Sequence, residues 1–430
     1  MGSKPKVKRR SSGGAYVKRL ESLVDASQLL NSTLQLDKLL KVILELALTN
    51  LNAARGTIYL LDDEKRELWS KVLKGKDLVE IRLPIGTGIA GTVAKNGKTI
   101  NLKDAWKDKR FFSGFDIRSG FQTKTMLCMP MENRKNKIIG VFQIINKKRG
   151  AFNREDELFL EAFSEHASLA IENAYLHRAM IEKEVVEREI RIAATIQQRL
   201  LPKELPSIDR YQFDAAAFPC KAIGGDYYDV IKMAEGEYLL VIADVSGKGI
   251  PAALLVSTLH AALHAYVRTS ISLADLVQKL NESVYRDTPS EQYITFFVSV
   301  LNTRRNALMY VNAGHNPPYK LSIGSSEVSQ LDVGGVPLGM FDSAEYETGM
   351  VDLQNDDNIC LYTDGITEAF NRAAEEYGER RFVRCLTRNK ELPLSRLKDA
   401  ILVDIGSFTK SEPQSDDLTL LLLRRTDSND

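Results

Sequence analysis

Tyr238-Leu239-Leu240-Val241-Ile242-Ala243-Asp244-Val245-Ser246-Gly247-Lys248-Gly249 sets six apolar residues in a row, then an aspartate, then a turn rich in glycine. An apolar run of that length bounded by turn formers reads as a strand buried on both faces, with Asp244 where the chain leaves the core. The arrangement recurs in the C-terminal half. Gly224-Gly225-Asp226-Tyr227-Tyr228-Asp229 precedes a strand, Asp364-Gly365 follows the apolar run 359–362, and Asp416-Asp417 immediately precedes the run 418–423. Strand-like stretches at 211–218, 227–231, 293–302 and 307–313 accompany helical stretches at 252–267 and 273–285, with a further helix near 378–387. Sheets with central helices predict an α/β sandwich over about 205–426.

Aspartates at the ends of buried strands can bring several hard oxygen ligands to one spot without sulfur or imidazole, a set suited to Mg²⁺ or Mn²⁺ and not to zinc. For any one of them a turn-forming or helix-capping role competes; four together in one domain favour the ion. No nucleophile competes with this reading. Cys128 and Arg134 have the C-x5-R spacing of a phosphate-cradling loop, but Met-Pro-Met-Glu-Asn between them offers no glycine to turn backbone N–H groups inward. His260 and His264 stand four apart on one helical face with no carboxylate between them, and read as core or helix-surface histidines. There is no P-loop and no dinucleotide fingerprint.

The chain has 430 residues, which at about 150 per domain suggests roughly three units. Its 58 Lys+Arg against 57 Asp+Glu leave a net charge of +1, so no overall field draws it to nucleic acid or to an acidic membrane. Hydrophobic residues make up 44%, enough for buried cores. The apolar runs fall far short of the ~20 residues that span a bilayer. Four well-separated cysteines form no C-x-x-C pair. The expectation is a soluble, cytoplasmic, multidomain protein.

Residues 1–19 carry Lys4, Lys6, Lys8, Arg9, Arg10, Lys18 and Arg19 with no acid, and are expected to be a disordered basic tail. An α+β domain is expected over 20–175. It has helical spacing at Leu29, Leu30, Leu34, Leu39, Leu40, Ile43, Leu44 and Ala47, strands at 56–61, 68–72, 125–131 and 138–146, and a glycine-rich segment at 84–101. A helical linker over 176–204 follows. Within 171–201, which has no Gly or Pro, two heptad frames compete: one begins at Leu176 and is apolar at six of eight positions, the other begins at Ile171 and is apolar at five. A rigid spacer needs no apolar stripe, so a two-chain coiled coil and a homodimer are expected. A helix packed on its own domain is the alternative. Near-balance of the frames would let rotation between registers carry a signal.

Six motifs appear in the order seen in bacterial PPM-type serine/threonine phosphatases of the sporulation stage II E and stress-response sigma-regulator branch. These are Gln198-Arg199-Leu200-Leu201-Pro202, Gly224 to Asp229, Asp244 to Gly249, Asn312-Ala313-Gly314-His315-Asn316-Pro317-Pro318, Tyr362-Thr363-Asp364-Gly365 and Asp416-Asp417-Leu418-Thr419. Residues 195–425 resemble that family, and the resemblance implies a metal-dependent phosphoserine/phosphothreonine phosphatase with two Mn²⁺ or Mg²⁺ ions between two sheets. It implies that Asp244 bridges the ions with Asp226 nearby, as the catalytic pair, that the Val245 carbonyl adds a ligand, and that Asp364 and Asp416, with Asp417 as a substitute, complete the set. The early arginine that holds phosphate in eukaryotic relatives has no counterpart here, so the phosphate-holding group is unassigned; His315 and Lys248 are read as supporting residues. The implied substrate is a phosphorylated anti-sigma-factor antagonist in a partner-switching circuit. The alternative is a catalytically silent ligand sensor and docking protein.

Residues 20–175 in turn resemble a GAF domain, through Gly88-Ile89-Ala90-Gly91-Thr92-Val93-Ala94, Asn101 to Trp106, Gly120 to Lys124 and Ile139-Gly140-Val141. Asn146-Lys147 followed by Phe152 and Asp156-Glu157 is similar to the signature of cyclic-nucleotide-binding GAF domains. The resemblance implies a small-molecule ligand such as cAMP or cGMP, with Thr57, Ile89, Ala90, Phe112, Asp116, Ser119, Thr123 and Gln143 around it. Another metabolite, or dimerisation without a ligand, stays open.

Overall fold

Helix α1 (Leu36–Leu51) turns Leu39, Ile43, Ala47 and Leu51 to one side, and ends where Asn52 enters the left-handed region and returns its N–H to Leu48 and Thr49. It opens the part of the chain that a computed structural model describes, which comprises residues 35–74, 77–119, 121–269, 271–289, 291–324, 328–410 and 412–427. The expected tail at 1–19 and the helical positions Leu29, Leu30 and Leu34 lie outside the described residues.

Strands β1 (Ala53–Asp62), β2 (Glu67–Lys74) and β3 (Asp77–Pro84) precede α2 (Gly88–Asn96), β4 (Ile100–Leu102) and α3 (Gly114–Ser119); β5 (Met126–Glu132) and β6 (Ile138–Lys147) follow. They form one antiparallel sheet in the order β3-β2-β1-β6-β5-β4. Side-chain parity divides it. Ile58, Leu60, Leu127, Met129, Phe142 and Ile144 pack on α1 and on the first turns of α4 (Arg154–Gln197), whereas Met126, Cys128 and Val141 face α2 on the other side. The strand β3, whose Val79-Glu80-Ile81-Arg82-Leu83 alternates apolar and charged, and the helix α2 in the glycine-rich segment were missed from sequence.

The expected linker helix is the second half of a longer element that begins at Arg154. Helix α4 runs 44 residues, ends at Gln197 rather than at Pro202, and closes with turns at Leu200. Contacts divide the chain into two compact units, Met1–Glu184 and Val185–Asp430, with the division inside α4.

The second unit holds β7 (Tyr211–Phe218), β8 (Asp226–Ala234), β9 (Glu237–Val245), α5 (Ile250–Tyr266), α6 (Leu273–Asp287), β10 (Ile294–Asn302) and β11 (Ala307–Ala313). Then come β12 (Tyr319–Leu321), β13 (Val328–Gln330), β14 (Gly334–Gly335), β15 (Gly349–Asp352), β16 (Asn358–Tyr362), α7 (Glu379–Asn389), α8 (Leu394–Thr409) and β17 (Leu418–Arg425). One sheet runs β14-β11-β10-β9-β8 with β15 on β11; the other runs β13-β12-β16-β17-β7. Three apolar layers hold them: α5 and α6 over the first sheet, a core between the sheets around Leu240, Ile242, Phe297, Leu361 and Leu421, and α7 and α8 over the second. Burial on both faces is why 238–243 and 418–423 read as unbroken apolar runs. Helix α8 and the short strands β12 to β15 are found only in the structure.

Candidate functional site

Strand parity carries the aspartates together. On β9, Leu239, Val241, Ala243 and Val245 face the helices while Leu240 and Ile242 face the opposite sheet, so Asp244 continues the row between the sheets. Asp226 is its register partner on β8. From the second sheet, Ile359 and Leu361 point inward and Thr363 extends their row, beside Thr419 on β17. The Thr363 hydroxyl donates to Asp226 Oδ2 at 2.8 Å and accepts the Thr419 N–H at 2.9 Å, fastening the two sheets at this corner.

Carboxylate oxygens of Asp364, Glu368 and Asp416 lie within 4.8 Å of one another at the same corner. Asp416 also pairs with the Lys248 ammonium at 2.7 Å, which donates to the Ser415 carbonyl as well. Asp417 arrives too, but its oxygens accept the backbone N–H groups of Cys220, at 2.7 Å, and Gly225. The Asp416 carboxylate thus faces Asp364, Glu368 and the Lys248 ammonium, while Asp417 anchors the backbone of Cys220 and Gly225. The Val245 carbonyl faces Gly225, where an added Cβ would stand only 3.2 Å from it.

Charge is crowded here. Burial, and then Asp364 and Asp416, push the Asp244 carboxyl up to about 7. Burial and Asp244 raise Asp226, and burial and Asp416 raise Asp364. Cys220 lies against Asp416 and Asp417, but burial and Asp417 push its thiol up to about 11, so it offers no thiolate. An all-oxygen set with excess negative charge fits divalent magnesium or manganese. Glu368 and the Thr363 tie were missed from sequence. Glu368 follows Asp364 by four residues in a helical turn, its N–H bonded to the Asp364 carbonyl at 2.7 Å, and that spacing is the signal.

Other candidates resolve differently. His315 is buried between Thr295 Oγ1 at 2.9 Å and the Tyr362 carbonyl at 3.1 Å, and burial lowers it to about 4, so it is a neutral tie between sheets. Cys128 is buried in β5 and burial raises its thiol. No carboxylate lies between the two histidines in sequence, but Asp229 of β8 lies 2.9 Å from His264 Nε2.

In the first unit, a cavity of about 580 Å³ opens on the α2 side of the sheet. Thr57, Ile89, Ala90, Phe112, Asp116, Thr123 and Gln143 all line it; the Ser119 side chain lies outside the described residues. Asp116 accepts the Thr123 N–H at 2.7 Å and hydroxyl at 2.9 Å, so both its oxygens are engaged within the wall. Sequence reading missed Arg55, Tyr59, Arg82 and Phe121 in the wall. Arg82 is held by Asp62, Glu67 and Glu80, while the Arg55 guanidinium lies 4.1 Å over the Phe121 ring. The signature residues brace the wall from behind: Lys147 pairs with buried Asp156, Asn146 binds the backbone of Gln122, Lys124 and Thr125, and Glu157 accepts from Asn101 at 2.8 Å.

The family model for stage II sporulation protein E (SpoIIE) matches residues 234–426, and the GAF domain model matches 35–171. The chain is 31% identical over 242 residues to the phosphoserine phosphatase RsbU of Bacillus subtilis (strain 168), covering 56% of this chain and 71% of that one. It is 35% identical over 163 residues to the dual 3',5'-cyclic-AMP and -GMP phosphodiesterase 11A of Takifugu rubripes, covering 35% of this chain but only 18% of the phosphodiesterase. The SiaA-PP2C domain of Pseudomonas aeruginosa is similar at TM-score 0.49 and 24% identity, over 56% of this chain and 98% of that domain.

Proposed function

This chain belongs to the RsbU-like SpoIIE family of PPM-type phosphatases, with a GAF domain ahead of the phosphatase domain, and from that membership we propose that it hydrolyses phosphoserine or phosphothreonine on a protein under control of a GAF ligand. The observation that carries the reading is the convergence of Asp226, Asp244, Asp364 and Asp416 at one corner of two sheets, where Lys248 is the one ammonium paired with them among the described residues. Asp226, Asp244, Asp364, Asp416 and the Val245 carbonyl would hold two Mg²⁺ or Mn²⁺ ions, and Asp417 would hold the loops of Cys220 and Gly225 against them. Bound there, such ions supply a nucleophilic water at neutral pH and neutralise phosphoryl charge. Thr363 fixes Asp226 in place, and Lys248 pairs with Asp416 at the rim. By the family resemblance of its motifs, the substrate we propose is a phosphorylated anti-sigma-factor antagonist. A silent docking role would leave the crowded carboxylates without use. Mn²⁺-dependent release of phosphate from para-nitrophenyl phosphate, measured against Asp244→Ala, tests the choice; equal rates would sink the enzyme.

For the first unit the reading is a cyclic nucleotide, cAMP or cGMP. The cavity has apolar and aromatic walls for a purine, and Arg55 is a guanidinium with no ion pair among the described residues, suited to the cyclic phosphate. Calorimetry should show binding of one of the two, weakened about tenfold or more by Arg55→Ala, a loss of about 1.4 kcal/mol. No heat with either nucleotide would move the site to another metabolite.

The domain reading places the sensor at 20–175, the linker at 176–204 and the phosphatase at 205–426. The linker surface supports a dimer: Leu176, Met180, Ile181, Val185, Val186, Ile192 and Ile196 are exposed in the single chain. Light scattering should return a dimer for the full chain and a monomer for Ile181→Glu/Val185→Glu; a monomeric parent would overturn it.

A further inference from the structure

The outward face of β8 carries a second group of ligating side chains. Asp226 faces the space between the sheets, whereas Tyr227 and Asp229 face helix α5. Helix α5 presents His260 and His264 one turn apart, with ring centroids 4.2 Å from each other. His264 Nε2 lies 2.9 Å from Asp229 Oδ2. The Tyr227 hydroxyl donates to that same oxygen at 2.7 Å and lies 3.0 Å from His260 Nδ1. Ligand atoms of Asp229, His260 and His264 all fall within 4.8 Å of one another.

The Asp229 side chain is 9% exposed and meets no lysine or arginine among the described residues; its other oxygen accepts the Val230 N–H at 2.7 Å. Its charge is answered only by a phenol, an imidazole and a backbone amide. The His264 side chain, at 38% exposed, leaves the group open to solvent on one side. Sequence alone could not assemble this, because the carboxylate lies 31 and 35 positions before the two histidines, on another element.

We propose that Asp229, His260 and His264 form a binding site for a borderline transition-metal ion such as Zn²⁺, separate from the all-oxygen corner on the opposite face of β8. Two imidazoles and one carboxylate match the ligand preference of zinc, cobalt and nickel, and the open side leaves a position for water. Binding requires each imidazole to present a bare ring nitrogen to the ion, and any proton displaced from the ligands leaves to solvent. Bound, it ties α5 to the edge strand β8 and stabilises the phosphatase domain by linkage.

The test uses the full chain in excess Mg²⁺, which occupies the hard oxygen site. Zn²⁺ retained after gel filtration is counted by mass spectrometry, and Co²⁺ is added separately for its visible spectrum. The expected result is one Zn²⁺ per chain, with the intense d–d absorption of four-coordinate Co²⁺. Both should be lost in His264→Gln and in Asp229→Asn, while Mg²⁺-dependent phosphatase rate and melting temperature without zinc stay near those of the parent for His264→Gln. A parent chain that retains no Zn²⁺ would overturn the proposal, and so would undiminished retention in a His260→Gln/His264→Gln chain.

Discussion

Asp244→Ala is expected to lower Mn²⁺-dependent phosphatase turnover by about a thousandfold or more, equivalent to about 4 kcal/mol of transition-state stabilisation. Its register partner Asp226 and the Asp364 and Asp416 carboxylates remain, but the carboxylate proposed to bridge the ions is gone. The same substitution should leave the metal-free protein at least as stable as the parent, because the removed carboxylate is held near a folded value of about 7 by burial and by Asp364 and Asp416. The sign follows from linkage. A carboxyl whose folded value lies above its unfolded one favours folding while protonated, so its contribution is present below about pH 4 and is lost as pH rises towards 7. Metal-free parent protein should therefore lose melting temperature across that window, Asp244→Asn should flatten the loss, and Mn²⁺ should reverse it in the parent alone. Turnover in Asp244→Ala near that of the parent at saturating Mn²⁺ would remove Asp244 from the site.

The strands that build this corner were legible because they are buried on both sides: 238–243 and 418–423 are apolar without alternation, and the aspartates stand where those runs stop. The partners of the aspartates were not legible. Thr363 meets Asp226 across 137 positions, and Asp417 reaches Gly225 across 192. Nothing local marks either pair. The cavity of the first unit shows the same division. Motif positions led to Thr57, Gln143 and Thr123, but Arg55 enters the wall through strand parity, two residues before Thr57 on the same face of β1. Helix α4 joins two segments of differing surface, one packed and one exposed, in an unbroken helical backbone, and sequence marks only the change of surface.

Gly365→Ala is expected to abolish turnover and to destabilise the protein together, which separates it from loss of a ligand. An alanine Cβ at this position would stand 1.9 Å from the Asp417 carbonyl oxygen, far inside the ~3.5 Å at which carbon atoms pack. The obstacle is backbone, so no rotamer change relieves it. The turn carrying Asp364 and the start of β17 must move apart, and the oxygens of Asp364, Glu368 and Asp416 that now lie within 4.8 Å of one another separate. A shift of that kind costs on the order of 2–4 kcal/mol. For a unit of this size it lowers the melting temperature by roughly 5–15 °C. Asp364→Ala, by contrast, should lose turnover at little cost in stability, since it relieves burial of a crowded carboxylate. Gly406→Ala provides the control: it lies in helix α8 with nothing within 4 Å of an added Cβ, and should be neutral or stabilising by about 0.5–1 kcal/mol. Calorimetric melting with and without Mn²⁺, alongside turnover, reads all three. If Gly365→Ala kept both rate and stability, the close approach of Asp364-Gly365 to Asp416-Asp417, on which the four-carboxylate corner depends, would be wrong.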